Sequence, residues 1–436
     1  MPLPRLHRHH EHVRRGMAAI ASLAVTAALL AAGASPATGA PTAPRGYGNC
    51  KVVPAGSDLH KRGAAWSCFG PDSDRRAPDI APTARDIARA PADGANAVKL
   101  CLAHSSERVV SDRHAYCARM FLREILLDRD NVEIGVGHVS VLAVGLLDSY
   151  AGKWTDHIIV VPGDMTGRVT GVEVSVDSAC SGMCSVQGPA WGGGYATVEK
   201  GGGNEEGAIN YVSSVAANTD ISYINVTYTV SGAAVGGVGI PGYDTAIYDG
   251  PQVRCDATIG DTKPVPGCIV FAGHTPNVTF SRAKYRGAAV AYEWAQKNLT
   301  GQYGTPGHLL SRYVDPDDPD AEKRRGVTCD RGPYRFPRGA TGILNDSCDE
   351  YPFARSSEGG NPGDQCVDIT PRPVGGVWDV SGVTVDRGTG VSPYNAPCIR
   401  AHVDNKDNTA AGGELGRAVQ SDRILNSEWY EVIIAP

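Results

Sequence analysis

The sequence predicts an α+β chain in which a β-rich, sandwich-like domain over residues 99–280 is followed by a mixed domain over 281–436. Three observations lead there. Short β-branched runs separated by Gly, Asp and Asn turns fill the stretch from about residue 132 to 280. The composition then shifts to a helix-forming stretch, "RGAAVAYEWAQKNL" (286–299). The last part of the chain reads as extended segment, long loop, second extended segment, oxygen-rich turn, helix and closing strand.

At the start, Arg5, Arg8, Arg14 and Arg15 with His7, His9 and His10 precede an apolar run from Met17 to Ala32 that relaxes into small residues. This is the pattern of a secretory signal over residues 1–40, with cleavage expected near Ala34 or Ala40. Its apolar core is too short to favour a membrane span, and no later stretch reaches the roughly 20 apolar residues that a spanning helix needs. The expected location is therefore extracellular. All 12 cysteines lie beyond this segment. An even number in an exported chain favours disulfides, up to six of them. The alternative of a metal at Cys180 and Cys184 has no second ligand pair at zinc-like spacing.

Residues 41–98, rich in Pro, Ala, Gly and Arg with little periodicity, read as a leader or poorly ordered arm. The assignment from Val98 to about Leu127 stays open between strand and helix. Runs such as "HVSVLAVGLL", "HIIVV", "GVEVSV" and "YINVTYTVSG" are expected strands of the sandwich. The histidines among them, His138 and His157, are isolated and read as surface or packing residues. The domain boundary is expected between Arg254 and Gly301, where Cys255 and Cys268 could close a local loop.

Net charge is -6, which argues against a protein that coats nucleic acid through its overall field and leaves room for a local basic patch. Against that background, Lys323, Arg324, Arg325, Arg331, Arg335 and Arg338 form a basic island holding one acid, Asp330. About ten residues later come the adjacent acids Asp349 and Glu350, at the head of the aromatic and apolar run "YPFA". Near the C-terminus, Asp404, Asn405, Asp407 and Asn408 form an oxygen-rich turn before an expected helix over 409–420. Asn408 is the expected N-cap, and "WYEVII" the closing strand.

Carboxylate and amide oxygens suit a hard divalent cation, which keeps several waters when bound beside a phosphate. A nearby carboxylate can take a proton from attacking water, and arginines can hold flanking phosphates. Hydrolysis of a phosphodiester is the chemistry these residue types fit. There is no HExxH and no G-x-S-x-G, which argues against a peptidase.

"CDEYPFARS", with "RRGVTC" upstream and "DNTAAGGELGRA", "DRIL" and "WYEVII" downstream, resembles the NucA/NucB family of secreted bacterial deoxyribonucleases. The likeness covers roughly the last 130 to 180 residues. It implies a ββα-metal nuclease-like domain, in which a β-hairpin and a helix frame one divalent cation, Mg or Mn. Carried over by motif, Asp349 is the expected general base, Glu350 its acidic partner, and Asn408 a metal ligand, with Glu414 a second ligand candidate. Asn405 is the rival to Asn408, and His402 the rival to Asp349, because many ββα-metal nucleases use histidine as base. Arg331, Arg335 and Arg355 are the candidate phosphate contacts.

The expected partner is DNA, with RNA open as a second substrate and an immunity or inhibitor protein neither implied nor excluded. A different class of function is a surface- or polysaccharide-binding protein whose β-rich half does the work and whose nuclease-like domain is inactive. A relic would be expected to lose its acids or its Asn turn, and all are present.

Overall fold

The computed structural model describes residues 44, 47, 50–73, 101, 107–237, 245–260, 263–318, 321–339, 342–384 and 388–436. The expected signal segment lies outside the described residues. So does most of the expected arm, but residues 50–73 belong to the folded body, and an arm is the wrong description for them. Cys50–Val52 and Trp66–Pro71 pair as strands, with the Cys50–Cys68 disulfide beside them. Strands of three and six residues carry too few alternations to show a period in sequence.

Two antiparallel sheets form the sandwich. One has eight strands, among them Ala115–Leu127, Glu133–Leu147, Lys153–Met165 and Glu205–Ser213. The other runs Gly267–Val270, Thr245–Asp256, Ile221–Ala234, Gly171–Cys180, Ala196–Glu199. Strict alternation decides the facing: along Ile221–Ala234, Ile224, Val226, Tyr228 and Val230 point inward, and they share one core with Val141, Ile158 and Val160 of the larger sheet. The segment left open between strand and helix is largely the strand Ala115–Leu127.

The C-terminal half has its own core and two smaller sheets. Asn277–Ser281 pairs in parallel with the closing strand Trp429–Ala435, which also pairs with Leu310–Ser311. By sheet membership, then, the second half begins a few residues ahead of 281. The four-stranded sheet runs Asp346–Tyr351, Cys398–Asp404, Cys366–Val374, Val377–Thr384. The helices Arg282–Asn298 and Asn405–Ser421 cover one of its faces; the short helix Glu322–Cys329 lies against Asp346–Tyr351. Asp318 accepts the backbone N–H groups of Lys323 and Arg324, a carboxylate closing that helix's N-terminus.

All 12 cysteines are paired, in six disulfides. Cys180–Cys184 is a disulfide and not a metal pair, and Cys255–Cys268 closes the local loop. In the second half the pairing is Cys329–Cys348 and Cys366–Cys398. Among the described residues no helix is long and apolar enough to cross a membrane.

Sandwich and C-terminal half are one compact body. The turn that follows the helix Asn405–Ser421 inserts Arg423 between sandwich loops. There its guanidinium bonds both carboxylate oxygens of Asp256 and the carbonyls of Ser149 and Val265. Arg113 and Arg254, from the sandwich, each bond the carboxylate of Glu428.

Candidate active site

Asp349 and Glu350 sit on an edge strand paired antiparallel with Cys398–Asp404, Asp349 opposite Ala401 and Glu350 opposite Arg400. Side chains alternate along a strand, so neighbours in sequence face opposite ways. Asp349 points to the helix-covered face with Ser347 and Tyr351. Glu350 points the other way, with Asp346 and Cys348. The two acids therefore do not converge as ligands of one point.

On the helix-covered face Asp349 is 4% exposed. The hydroxyl of Tyr292, from the helix Arg282–Asn298, lies 3.0 Å from each of its oxygens. Burial pushes the Asp349 carboxyl well above the usual carboxylate range and the charge of Glu350 adds to this, against the hydrogen bond from Tyr292 and the charge of Arg325. Such a group holds a proton more readily than a surface carboxylate, the tuning expected of an acid–base residue.

Asn408 reaches the same face from the first turn of the helix Asn405–Ser421. Its Nδ2 donates to Ser347 Oγ (3.0 Å) and to the Cys348 carbonyl (3.1 Å). The expected N-cap role is corrected: Asp404 is the cap, accepting the N–H of Lys406, and the helix begins at Asn405. Asp404 and Asn408 both fit cap chemistry, and the strand ends early enough for the first of them to take it. Asn405, the rival, is exposed at the helix start.

Across the sheet Glu350 is buried beside the Nε of Arg325, 3.4 Å away. Burial raises its carboxyl as well, opposed by the charge of Arg325. His402 lies on this face, its Nδ1 2.8 Å from Asp346 Oδ2 and its ring 4.1 Å from that of Phe336. Asp346 and Tyr292 are acid and hydroxyl neighbours of the site that no motif in the sequence singled out. A carboxylate three residues ahead of the acid pair was visible in the sequence; Tyr292 carried no signal beyond an aromatic in a helix.

Glu414 stands apart. It bonds Tyr285, Arg417 and Lys284. Six residues beyond Asn408, it is turned about 120° around the helix. Burial alone would raise its carboxyl, and the hydrogen bonds from Tyr285 and Arg417 outweigh that and lower it. With Arg417, His114 and His274 it lines a cleft of about 660 Å³ between sandwich and C-terminal half, away from Asp349.

The basic island divides. Arg324 is structural, bonding the carbonyls of Ala354, Ser356 and Gly359 and stacking over Tyr313. Lys323 bonds the Asp317 carbonyl and Arg338 pairs with Asp330. Arg331 and Arg335 are exposed on the loop closed by Cys329–Cys348, and Arg355 is exposed just after "YPFA". The loop's base is held by Arg400, fully buried, which bonds Asp368 in a fork and the carbonyls of Thr328 and Tyr334. Gly363 is required beside it, because a Cβ there would stand 2.4 Å from the Thr328 carbonyl and 2.5 Å from Arg400.

Residues 300–373 match the family model of deoxyribonuclease NucA/NucB. The C-terminal part of the chain carries a NucA/NucB domain. The match includes Asp349, Glu350, Arg331, Arg335 and Arg355; Asn408, Glu414 and the sandwich lie beyond it. No curated protein matches the chain. The NucA/NucB match supports a deoxyribonuclease with nucleic acid as substrate, and it does not favour a β-rich binding protein with an inactive relic. Six disulfides fit an extracellular protein.

Proposed function

We propose that the protein is a secreted, metal-dependent deoxyribonuclease that hydrolyses phosphodiester bonds with little sequence preference, from a site of the ββα-metal type. The observation that carries this reading is the placing of Asp349, inside the matched NucA/NucB segment, on the same sheet face as the start of the helix bearing Asn408. An antiparallel strand pair running straight into that helix is the arrangement a ββα-metal site needs.

Among the described residues no group of three or more His, Cys, Asp or Glu side chains is placed to hold a metal. The donors fit a hard cation that keeps most of its waters. Because Asn408 spends its Nδ2 on Ser347 and Cys348, its carbonyl Oδ1 is turned away from those partners and is the natural ligand. A bound Mg or Mn would supply positive charge to the phosphate oxygens. Glu414, tied to Tyr285 and Arg417, has no part in this ligand set.

Asp349 takes the proton of the attacking water. Glu350, behind the strand, keeps that carboxyl basic through its charge. Arg331, Arg335 and Arg355 hold flanking phosphates, contacts to the backbone that carry no base information. A second reading of the base is His402, favoured by the Asp346 carboxylate that orients its ring. Incubating the purified protein with plasmid DNA, with and without EDTA, tests the function: nicking that EDTA abolishes is expected, and an intact plasmid under both conditions would end the proposal.

A further inference from the structure

We propose that Tyr292 is a positioning residue for Asp349: its hydroxyl, locked in place by a cage of rings, holds the carboxylate in the orientation a base requires. The inference rests on the reading of Asp349 as base. Tyr292 is 2% exposed, and its ring packs on Phe280, Tyr351 and Phe353 with centroids 5.0, 5.3 and 5.1 Å away. Phenylalanine would fill this cage equally well. A buried hydroxyl costs free energy unless it is bonded, so its presence is explained by the partner it finds. That partner is the Asp349 carboxylate, with both oxygens 3.0 Å away. One proton shared between two oxygens fixes the plane of the carboxylate against rotation.

The bond also favours the ionised form, because a hydroxyl can donate to a carboxylate and gains less from a carboxylic acid. The charged groups acting on Asp349 are Glu350 on its own strand and Arg325 from the helix Glu322–Cys329. Ala401 opposite it and Ser347, two residues away on the same face, are uncharged. Removing the hydroxyl leaves burial and Glu350 less opposed.

The test is Tyr292→Phe in the full chain, read by the pH dependence of plasmid cleavage and by carbon NMR of aspartate carboxyls, with Asp349 assigned through Asp349→Asn. Expected are a fall in kcat on the order of tenfold with KM within about twofold, and an upward move of the acid limb and of the Asp349 midpoint by about one pH unit. An unchanged profile and midpoint in a folded variant would overturn the proposal. Should Tyr292→Phe not fold, Phe353→Leu keeps the hydroxyl and loosens its cage. The same upward move on a smaller scale is then expected, and no move overturns the proposal. A wild type that cleaves nothing, while the midpoint still moves in Tyr292→Phe, supports the Tyr292–Asp349 relation and removes the nuclease reading.

Discussion

Arg423 and Asp256 meet in a two-pronged ion pair at 2.6 and 2.9 Å, each fully buried, one from the C-terminal half and the other from the sandwich. The sandwich is thereby part of the body that carries the site, because the turn bearing Arg423 directly follows the helix that presents Asn408. A tethered binding module would need no such junction.

Asp256→Ala should lower the unfolding free energy by about 3–5 kcal/mol, since it leaves a buried guanidinium without its carboxylate. Urea unfolding of both proteins measures this. A loss below about 1 kcal/mol would mean that the carbonyls of Ser149 and Val265 suffice for Arg423. For the same reason a fragment from about residue 300 onward should fail to fold to an active state, because it also loses the strand Asn277–Ser281 that pairs with the closing strand.

A second buried acid sets a pH dependence of stability. Asp156 lies in the sandwich core, bonded by the hydroxyls of Tyr116, Tyr211 and Tyr228. Burial raises its carboxyl to about 6, although these three bonds oppose the shift. A raised folded value means that the native state holds the proton more tightly, so this contribution is full below the unfolded value near 4 and is lost as pH rises to about 6. Relative to Asp156→Asn, the wild type should lose on the order of 3 kcal/mol between pH 4 and 6.5 and nothing more above. Parallel stability curves for the two proteins would place the proton elsewhere.

Much of this was legible in the sequence. The sandwich strands show in the β-branched alternation, the six bridges in an even cysteine count, and the acid pair in its motif. The opposed facing of Asp349 and Glu350 was also within reach, since two adjacent residues of any strand part company. What could not be read were long-range partners. Arg423 and Asp256 lie 167 residues apart, and no local pattern marks an arginine destined for burial. Tyr292 sits in "AVAYEWAQ", where a core aromatic and a hydroxyl donor look alike.

Phosphate contacts should show in salt. Arg331→Ala and Arg335→Ala should each weaken binding to duplex DNA evenly across sequences and reduce the log–log salt slope by about 0.9. Asp349→Asn protein, in which cleavage is expected to be slowed on the order of 10² to 10⁴, allows the affinity to be measured with little turnover. A slope unchanged in both variants would remove the loop from the interface.

Asn408→Ala should weaken cation activation by roughly 10- to 100-fold, with activity recovering as Mg or Mn is raised. Cation titration of the cleavage rate reads this directly. Loss of activity that no cation concentration restores, in a folded variant, would assign Asn408 to the bonds with Ser347 and Cys348 alone.

Cleavage of plasmid DNA by Asp349→Asn, set beside His402→Ala and the wild type under identical cation and pH, tests the assignment of the base most directly. Asn keeps the size and the hydrogen bond of Asp349 but cannot accept the proton, so a rate loss on the order of 10² to 10⁴ with DNA binding retained is the expected result, and His402→Ala should keep substantial activity. Near-normal turnover by Asp349→Asn together with a dead His402→Ala would contradict it and make the Asp346–His402 pair the base.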